Sequence, residues 1–256
     1  MKYYISDLHL FHEACIRFDN RPFATVEEMN ETILNNWNNK VNNGDTVYIL
    51  GDVSMRGQQE ELIALVAKLK GHKILIKGNH DDLSDYRYQQ LFSEIVDYKE
   101  VTDHVGQDAY QLVLMHYPIF SFKRMRSKGV LLYGHTHDSA EDTYFQKCIH
   151  EMNQNDCRHA GDGDIKAYNV GCMKPYMDYT PRTLAEIMEG AEVGRSICPK
   201  CGSKQVIPLL YGRPAAHILE EAEKGNIKLG GCMIEEVEGG VPNRYCKECE
   251  HKWKRE

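Results

Sequence analysis

The chain of 256 residues lacks several things, and each absence removes a class of protein. No apolar run approaches the roughly 20 residues that cross a bilayer, so no membrane-spanning helix is expected. Met1-Lys2 leads at once into a strand-like run. There is no charged start with an apolar stretch behind it, as a secretory signal would have, and the expectation is a cytoplasmic protein. No internal repeat and no low-complexity tract is present, so a repeat array and a disordered tether are both set aside. Basic charge is short as well, with 31 Lys and Arg against 38 Asp and Glu. The shortage is uneven. From Gly194 onward 11 basic residues face 9 acidic ones, while the part before it carries 20 against 29. An acidic N-terminal part is poorly suited to gripping a long polyanion and well suited to holding cations. What remains is ordinary: 42% hydrophobic residues support a core, and the length allows two domains or one large one.

Cysteine is not short. Nine cysteines are many for a compartment that keeps thiols reduced, so a clustered set points to metal rather than disulfides. Cys198-Pro199-Lys200-Cys201-Gly202 and Cys246-Lys247-Glu248-Cys249 form two CxxC pairs. A glycine after the second cysteine makes the tight turn that points both thiolates at one ion. The pairs stand 44 residues apart, so the segment from Pro208 to Gly240 needs a small structure of its own, with Ala215–Lys224 as a helix within it. The whole resembles a zinc ribbon with an insertion, holding one structural zinc at Cys198, Cys201, Cys246 and Cys249. The other five, Cys15, Cys148, Cys157, Cys172 and Cys232, read as small buried or half-buried thiols.

Along the chain, Tyr3-Tyr4-Ile5 opens as a strand. Thr25 caps a helix with Glu28 three residues on, and Met29, Ile33, Trp37 and Val41 make its apolar stripe. Asn42 to Asp45 turns the chain into the strand Val47–Leu50. Glu60–Leu69 is a second helix that Gly71 stops, and Lys73–Lys77 is the next strand. This β-α-β-α-β start argues for a layered α/β fold. Ile95–Val101, Tyr110–Met115, Val130–Tyr133 and Lys166–Val170 read as further strands. Asp138–Asp164 reads as a polar insertion. It carries two C-x-H pairs, Cys148/His150 and Cys157/His159, taken as coincidence rather than a third metal site. Thr183–Glu192 is a last short helix, and Glu189–Arg195 reads as a linker. The expected domains are 1–193, catalytic, and 194–256, zinc-ribbon-like.

Five of the strands end in the same kind of chemistry. Asp7-Leu8-His9, Gly51-Asp52, Gly78-Asn79-His80-Asp81, His116 and Gly134-His135-Thr136-His137 each follow an apolar run. Loops of this kind at one edge of a sheet would form one pocket. Asp7, His9, Asp52, Asn79, His116, His135 and His137 are seven candidate ligands, more than one tetrahedral ion can use. Carboxylate, amide and imidazole together suit Mn, Fe, Co, Ni or Zn rather than Ca or Mg. Two ions about 3.5–4 Å apart would use the whole set and suit an in-line displacement at phosphorus.

The order Asp-x-His, Gly-Asp, Gly-Asn-His-Asp, His, Gly-His-x-His resembles the calcineurin-like metallophosphoesterase superfamily over residues 1 to about 182. The resemblance implies an αββα sandwich of two mixed sheets with helices outside. It implies that Asp7, His9 and His137 hold one metal, Asn79, His116 and His135 the other, and that Asp52 bridges them. It makes His80 a general acid or charge stabiliser facing the phosphate, oriented by Asp81. The implied reaction is attack of a metal-bridging hydroxide on a small phosphoester or nucleotide. Arg21-Pro22-Phe23, after His12, is similar to a segment of many small bacterial and phage members, which makes Arg21 and His12 candidate substrate contacts. Lys123, Arg124, Arg126 and Lys128 form one basic patch past His116, sized for one or two phosphates. His72, His104 and His217 read as ordinary histidines. The alternatives are a nuclease that uses the ribbon to contact nucleic acid and, from another class, a non-catalytic metal-binding scaffold.

Overall fold

The structure is a computed structural model. It describes residues 1–55, 59–154, 163–194, 198, 200–203, 205–212, 214, 216–231 and 240–253. These form two compact units, Met1–Gly190 and Ala191–Glu256.

The first unit holds two four-stranded sheets. One runs β1 (Lys2–Ile5), β2 (Thr46–Ile49), β3 (His72–Ile76), β4 (Glu94–Val96), every neighbour parallel. The other runs β5 (Tyr98–Val105), β6 (Asp108–Met115), β7 (Gly129–Tyr133), β8 (Lys166–Asn169). In it β5 and β6 are an antiparallel hairpin, while β6, β7 and β8 are parallel. The Ile95–Val101 run is therefore not one strand. It divides at Asp97, β4 closing the first sheet and β5 opening the second. The sheets meet beyond the end of β1, where Ser6 donates its amide to Val170 O and accepts from the amide of Cys172. Helices α1 (Glu13–Phe18), α2 (Val26–Lys40), α3 (Gln59–Val66), α4 (Tyr86–Gln89), α5 (Ala140–Gln154) and α6 (Leu184–Gly194) complete a mixed α/β architecture of the expected αββα type.

Local sequence explains the elements. Thr25 Oγ1 accepts from the Glu28 amide at 3.2 Å, and Glu28 Oε2 reaches back to the Ala24 amide at 2.7 Å, which fixes the start of α2. Its stripe Met29, Ile33, Trp37 and Val41 is fully buried, and Trp37 Nε1 donates to Lys70 O just before β3. The segment read as a polar insertion is helical over Ala140–Gln154. Phe145 and Ile149 of α5 pack on Val113, Leu131, Tyr133 and Ala167 of the second sheet. Cys157 and His159 lie outside the described residues, as do Cys232, Lys254 and Arg255, and so does the side chain of His217. The proposed linker also differs, since α6 continues through it to Gly194. Gly190 does not break this helix. It makes room, because a Cβ there would stand 2.6 Å from Tyr176 Cβ.

The second unit has a sheet ordered β10 (Lys228–Leu229), β9 (Val206–Leu210), β11 (Arg244–Cys246), β12 (Lys252–Trp253), with α7 (Ala216–Glu223) joining β9 to its parallel neighbour β10. Gly202, at φ 70°, donates to Cys198 O and forms the turn expected after the first cysteine pair. No helix among the described residues is long and apolar enough to cross a membrane.

Candidate metal centre

The parallel strands β1, β2, β3 and β6, β7 deliver their following loops to one place, and those loops carry the seven candidate ligands. Five of the seven have left-handed backbone: Asp7 (φ 55°), His9 (49°), Asp52 (54°), His135 (68°) and His137 (50°). Asp and His tolerate that region better than most side chains, yet each such residue costs on the order of 1 kcal/mol or more, and such strain gathers at working sites.

The side chains fall into two groups of ligand atoms, Asp7/His9/His137 and Asp52/His116/His135, each within 4.8 Å. In the first, His9 Nε2 lies 3.1 Å from His137 Nε2, and Asp7 Oδ1 lies 3.9 Å from the latter. In the second, Asn79 Oδ1 lies 3.0 Å from His116 Nε2 and 2.9 Å from His135 Nδ1. Asp52 Oδ2 adjoins both, at 3.5 Å from His116 Nε2 and 3.8 Å from His9 Nε2. Donors at these separations fit a shared ion, since two nitrogens bound at about 2.1 Å and a right angle would stand about 3 Å apart.

Buried partners hold these side chains. His116 Nδ1 donates to Leu50 O at 2.8 Å, which turns its Nε2 lone pair inward. His137 Nδ1 bonds Asp19 Oδ1 at 2.7 Å. Asp7 accepts from Ser6 Oγ and from the His135 amide. Asp52 Oδ1 accepts from the His80 amide at 2.9 Å. Gly78 permits this closeness, because a Cβ there would meet Asp52 Oδ1 at 2.2 Å. Behind the Gly134–His137 loop, Asp142 of α5 is 4% exposed. Its Oδ1 accepts from Tyr133, Thr136 and Asn169, and its Oδ2 from Lys174.

Electrostatics at His9, His135 and Asp7 favour cation binding, while the raised His137 must give up its proton to join them. Burial pushes the His9 imidazole down to about 2, with His137 and Arg21 adding to it. Burial also lowers His135. His137 stands above the ordinary value, because its bond to Asp19 and the charge of Asp7 outweigh its burial. Burial raises the carboxyl of Asp7. Neutral imidazole is the form that ligates metal, and a buried carboxylate gains from a cation beside it.

Two expected roles change. Arg21 does not face the cleft. Its guanidinium is fully buried and donates to Asp7 O, Leu8 O and Asp19 Oδ2, so it has no free fork for a phosphate. Asp81 does not orient the His80 ring. Its oxygens accept from the amides of Gly78, Asp52 and Val53, tying the loops after β2 and β3 together. His80 and His12 both line a cleft of about 440 Å³ with His9, His137, Phe18 and Glu141. Half of the basic patch is taken up in ion pairs, Lys123 with Glu100 and Lys128 with Asp108, and none of its four residues lines the cleft. Asp19 and Asp142 were missed. An Asp before Asn-Arg-Pro looks like any turn residue, and Asp142 occupies a core position of a helix that its own polarity conceals.

In the second unit the four expected cysteines converge, with Cys198 Sγ 3.6 Å from Cys249 Sγ and Cys201 Sγ 3.6 Å from Cys246 Sγ. A tetrahedral zinc with Zn–S of about 2.3 Å would set its sulfurs about 3.8 Å apart, so the cluster fits a small zinc-binding module.

Two sheets with helices outside, and Asp and His gathered in two adjoining groups at the strand ends, fit a metal-dependent phosphoesterase. The model of the calcineurin-like phosphoesterase family matches residues 3–158, and the chain belongs to that family. It is 34% identical over 143 residues to an uncharacterized protein of Methanocaldococcus jannaschii, covering 56% of this chain and 72% of that one. It is 28% identical over 159 residues to the gene 66 protein of Mycobacterium phage L5, covering 53% and 76%. Among solved structures, a protein of unknown function from Aquifex aeolicus superposes with a TM-score of 0.54 at 25% identity, over 74% of this chain and 98% of that one.

Proposed function

We propose that the chain is a phosphohydrolase that uses two divalent ions to cleave small phosphoesters or nucleotides. The observation that carries this reading is the position of Asp52, one oxygen of which lies within 3.8 Å of a histidine nitrogen in each group. Asp7, His9 and His137 would hold one ion, Asn79, His116 and His135 the other, and Asp52 both. The donor mixture suits Mn, Fe, Co, Ni or Zn. When bound, such ions supply Lewis acidity to the attacking and leaving oxygens of an in-line displacement. His80 has its amide pinned on Asp52 and its ring on the cleft wall, 5.8 Å from His9, where it would hand a proton or positive charge to the leaving oxygen.

The cleft supports a small substrate. Among its described lining residues there is no Lys or Arg, and Asp138 and Glu141 stand on its wall. Among the described lining residues, charge on the substrate would be met by the ions and the histidines, which suits one phosphate better than a polyanion. Phe18 is 56% exposed beside His12 and His137, and Tyr117 is 40% exposed against His135. Both offer an aromatic face to an aryl or nucleoside group. We read residues 1–193 as the catalytic domain and 194–256 as a zinc ribbon whose four cysteines hold a structural ion. The cytoplasm, where thiols stay reduced, is the compartment this implies.

The test is a screen of the purified, Mn-loaded protein against phosphomonoesters, phosphodiesters, nucleotides and single-stranded nucleic acid, with metal content measured in parallel. Turnover of small esters with two ions beyond the ribbon zinc is expected. No turnover of any phosphoester would leave the scaffold reading. Cleavage of nucleic acid in preference to small esters would move the assignment to a nuclease.

A further inference from the structure

Asp19 and Arg21 form a buried ion pair that hydrogen-bonds one of the two ligand groups and, among the described contacts, no side chain of the other. The Asp19 side chain is 4% exposed and that of Arg21 not at all. Asp19 Oδ1 accepts from His137 Nδ1 at 2.7 Å. Its Oδ2 accepts from Arg21 Nε at 3.0 Å and from the Arg21 terminal nitrogen at 2.9 Å. Arg21 then donates to Asp7 O and Leu8 O, each at 2.9 Å. One ion pair thus grips the strand-end loop that bears Asp7 and His9 and, across the fold, the ring of His137.

We infer that Asp19 and Arg21 are positioning residues that pre-set the Asp7/His9/His137 group, so that the two metal positions are unequal. This rests on the two-ion reading above. Three physical effects combine. The Asp19 carboxylate fixes His137 as the Nδ1–H tautomer, leaves its Nε2 lone pair free, and makes that nitrogen a stronger donor. Arg21 balances the Asp19 charge in a site with almost no water, which a lone carboxylate could not occupy cheaply. Arg21 also holds the carbonyl of Asp7, whose backbone is left-handed at φ 55°, next to the equally left-handed His9. The ligands are therefore held in their strained conformation before any ion arrives. The other group is backed differently, through backbone amides of Gly78, Asp52 and Val53 that Asp81 accepts from, and not through its histidine rings. Among the described residues, no carboxylate hydrogen-bonds the ring of His116 or His135 from behind, and the Asp7 carboxylate meets His135 at its backbone amide. His116 Nδ1 rests on the neutral Leu50 carbonyl, and Asn79 is exposed.

Asp19→Asn keeps an acceptor for His137 and removes the charge, and Asp19→Asn/Arg21→Met removes both charges so that neither is left buried alone. Mn²⁺ titration by calorimetry, with electron paramagnetic resonance of the loaded protein, reads the two positions separately. In the wild type two Mn²⁺ bind in the first unit and their spins couple. In both variants one position weakens by about 10–100-fold, in line with loss of a carboxylate behind a ligating histidine, and the other by no more than about threefold. The coupled signal gives way to that of an isolated ion at Mn²⁺ levels that saturate the wild type. Equal weakening at both positions, or wild-type affinity at both in the double variant, overturns the inference. If Asp19→Asn does not fold, the double variant alone decides. A wild type that binds fewer than two Mn²⁺ in the first unit strikes at the two-ion reading instead, and the unequal sites fall with it.

Discussion

Asp52 and His80 sit on adjoining loops and are expected to do different work. Asp52 directs one oxygen to both histidine groups and the other to the His80 amide. Asp52→Asn takes the charge from the proposed bridge, so metal and activity should fall together, as metal analysis beside a kinetic assay would show. His80→Ala removes no member of either group. It should keep both ions and lose about 10²–10⁴-fold in kcat, the range of a general acid. If His80→Ala emptied the site as Asp52→Asn does, the role given to His80 would be wrong. At this scale residue type served well. Asp, His and Asn stood out because each followed an apolar run, and parallel strands do bring such loops together. Residue type failed at Arg21, since the letters show a guanidinium and not the carbonyls of Asp7 and Leu8 that occupy it. It also failed at Asp81, whose oxygens are taken by three backbone amides.

Elements were legible where one periodicity ran uninterrupted. The stripe of α2 appears as read, from its Thr25 cap to Val41. α5 was not legible, because one of its inward positions is Asp142, and a buried acid looks like a surface residue until its partners are seen. β4 and β5 merged into one reading for a related cause, as only the change of sheet at Asp97 separates them. The α5 acid carries a stability prediction. Asp142→Ala strips the acceptor from Tyr133, Thr136 and Asn169 and leaves Lys174 with Asp138 as its remaining carboxylate. Breaking a buried, hydrogen-bonded pair of this kind costs about 3 kcal/mol. For a unit of this size the melting temperature should drop by about 6–12 °C. Asp142→Asn, which keeps one acceptor oxygen, should lose less. Thermal denaturation of the full chain tests this, and a drop under about 2 °C for Asp142→Ala would mean that the network does not hold the Gly134–His137 loop.

At the scale of the whole molecule, two kinds of centre divide the chain: oxygen and nitrogen donors in the first unit, sulfur in the second. The second unit is small, so an ion at its four cysteines would supply much of its folding energy. Cys198→Ser should unfold it, as limited proteolysis would show, and leave turnover of a small ester largely intact. Collapse of that turnover with both catalytic ions still bound would mean that the second unit builds part of the active site. The remaining question is the partner, and charge argues for a small one. Duplex-binding proteins commonly neutralise about six to ten phosphates. In the first unit Lys123 is already paired with Glu100 and Lys128 with Asp108, Arg21 is buried, and Arg124 and Arg126 do not line the cleft. Two divalent ions would return about four charges, but at one point rather than along a groove. Binding to a duplex of about 30 base pairs at physiological salt should therefore be weak and indifferent to sequence, while a small aryl phosphodiester is turned over. The decisive comparison measures duplex affinity at several salt concentrations beside that turnover. Submicromolar affinity with a steep salt slope and efficient cleavage would make the chain a nuclease. The grip would then have to come from a basic face of the second unit, such as the C-terminal run Lys252, Lys254 and Arg255, of which Lys252 lies on β12.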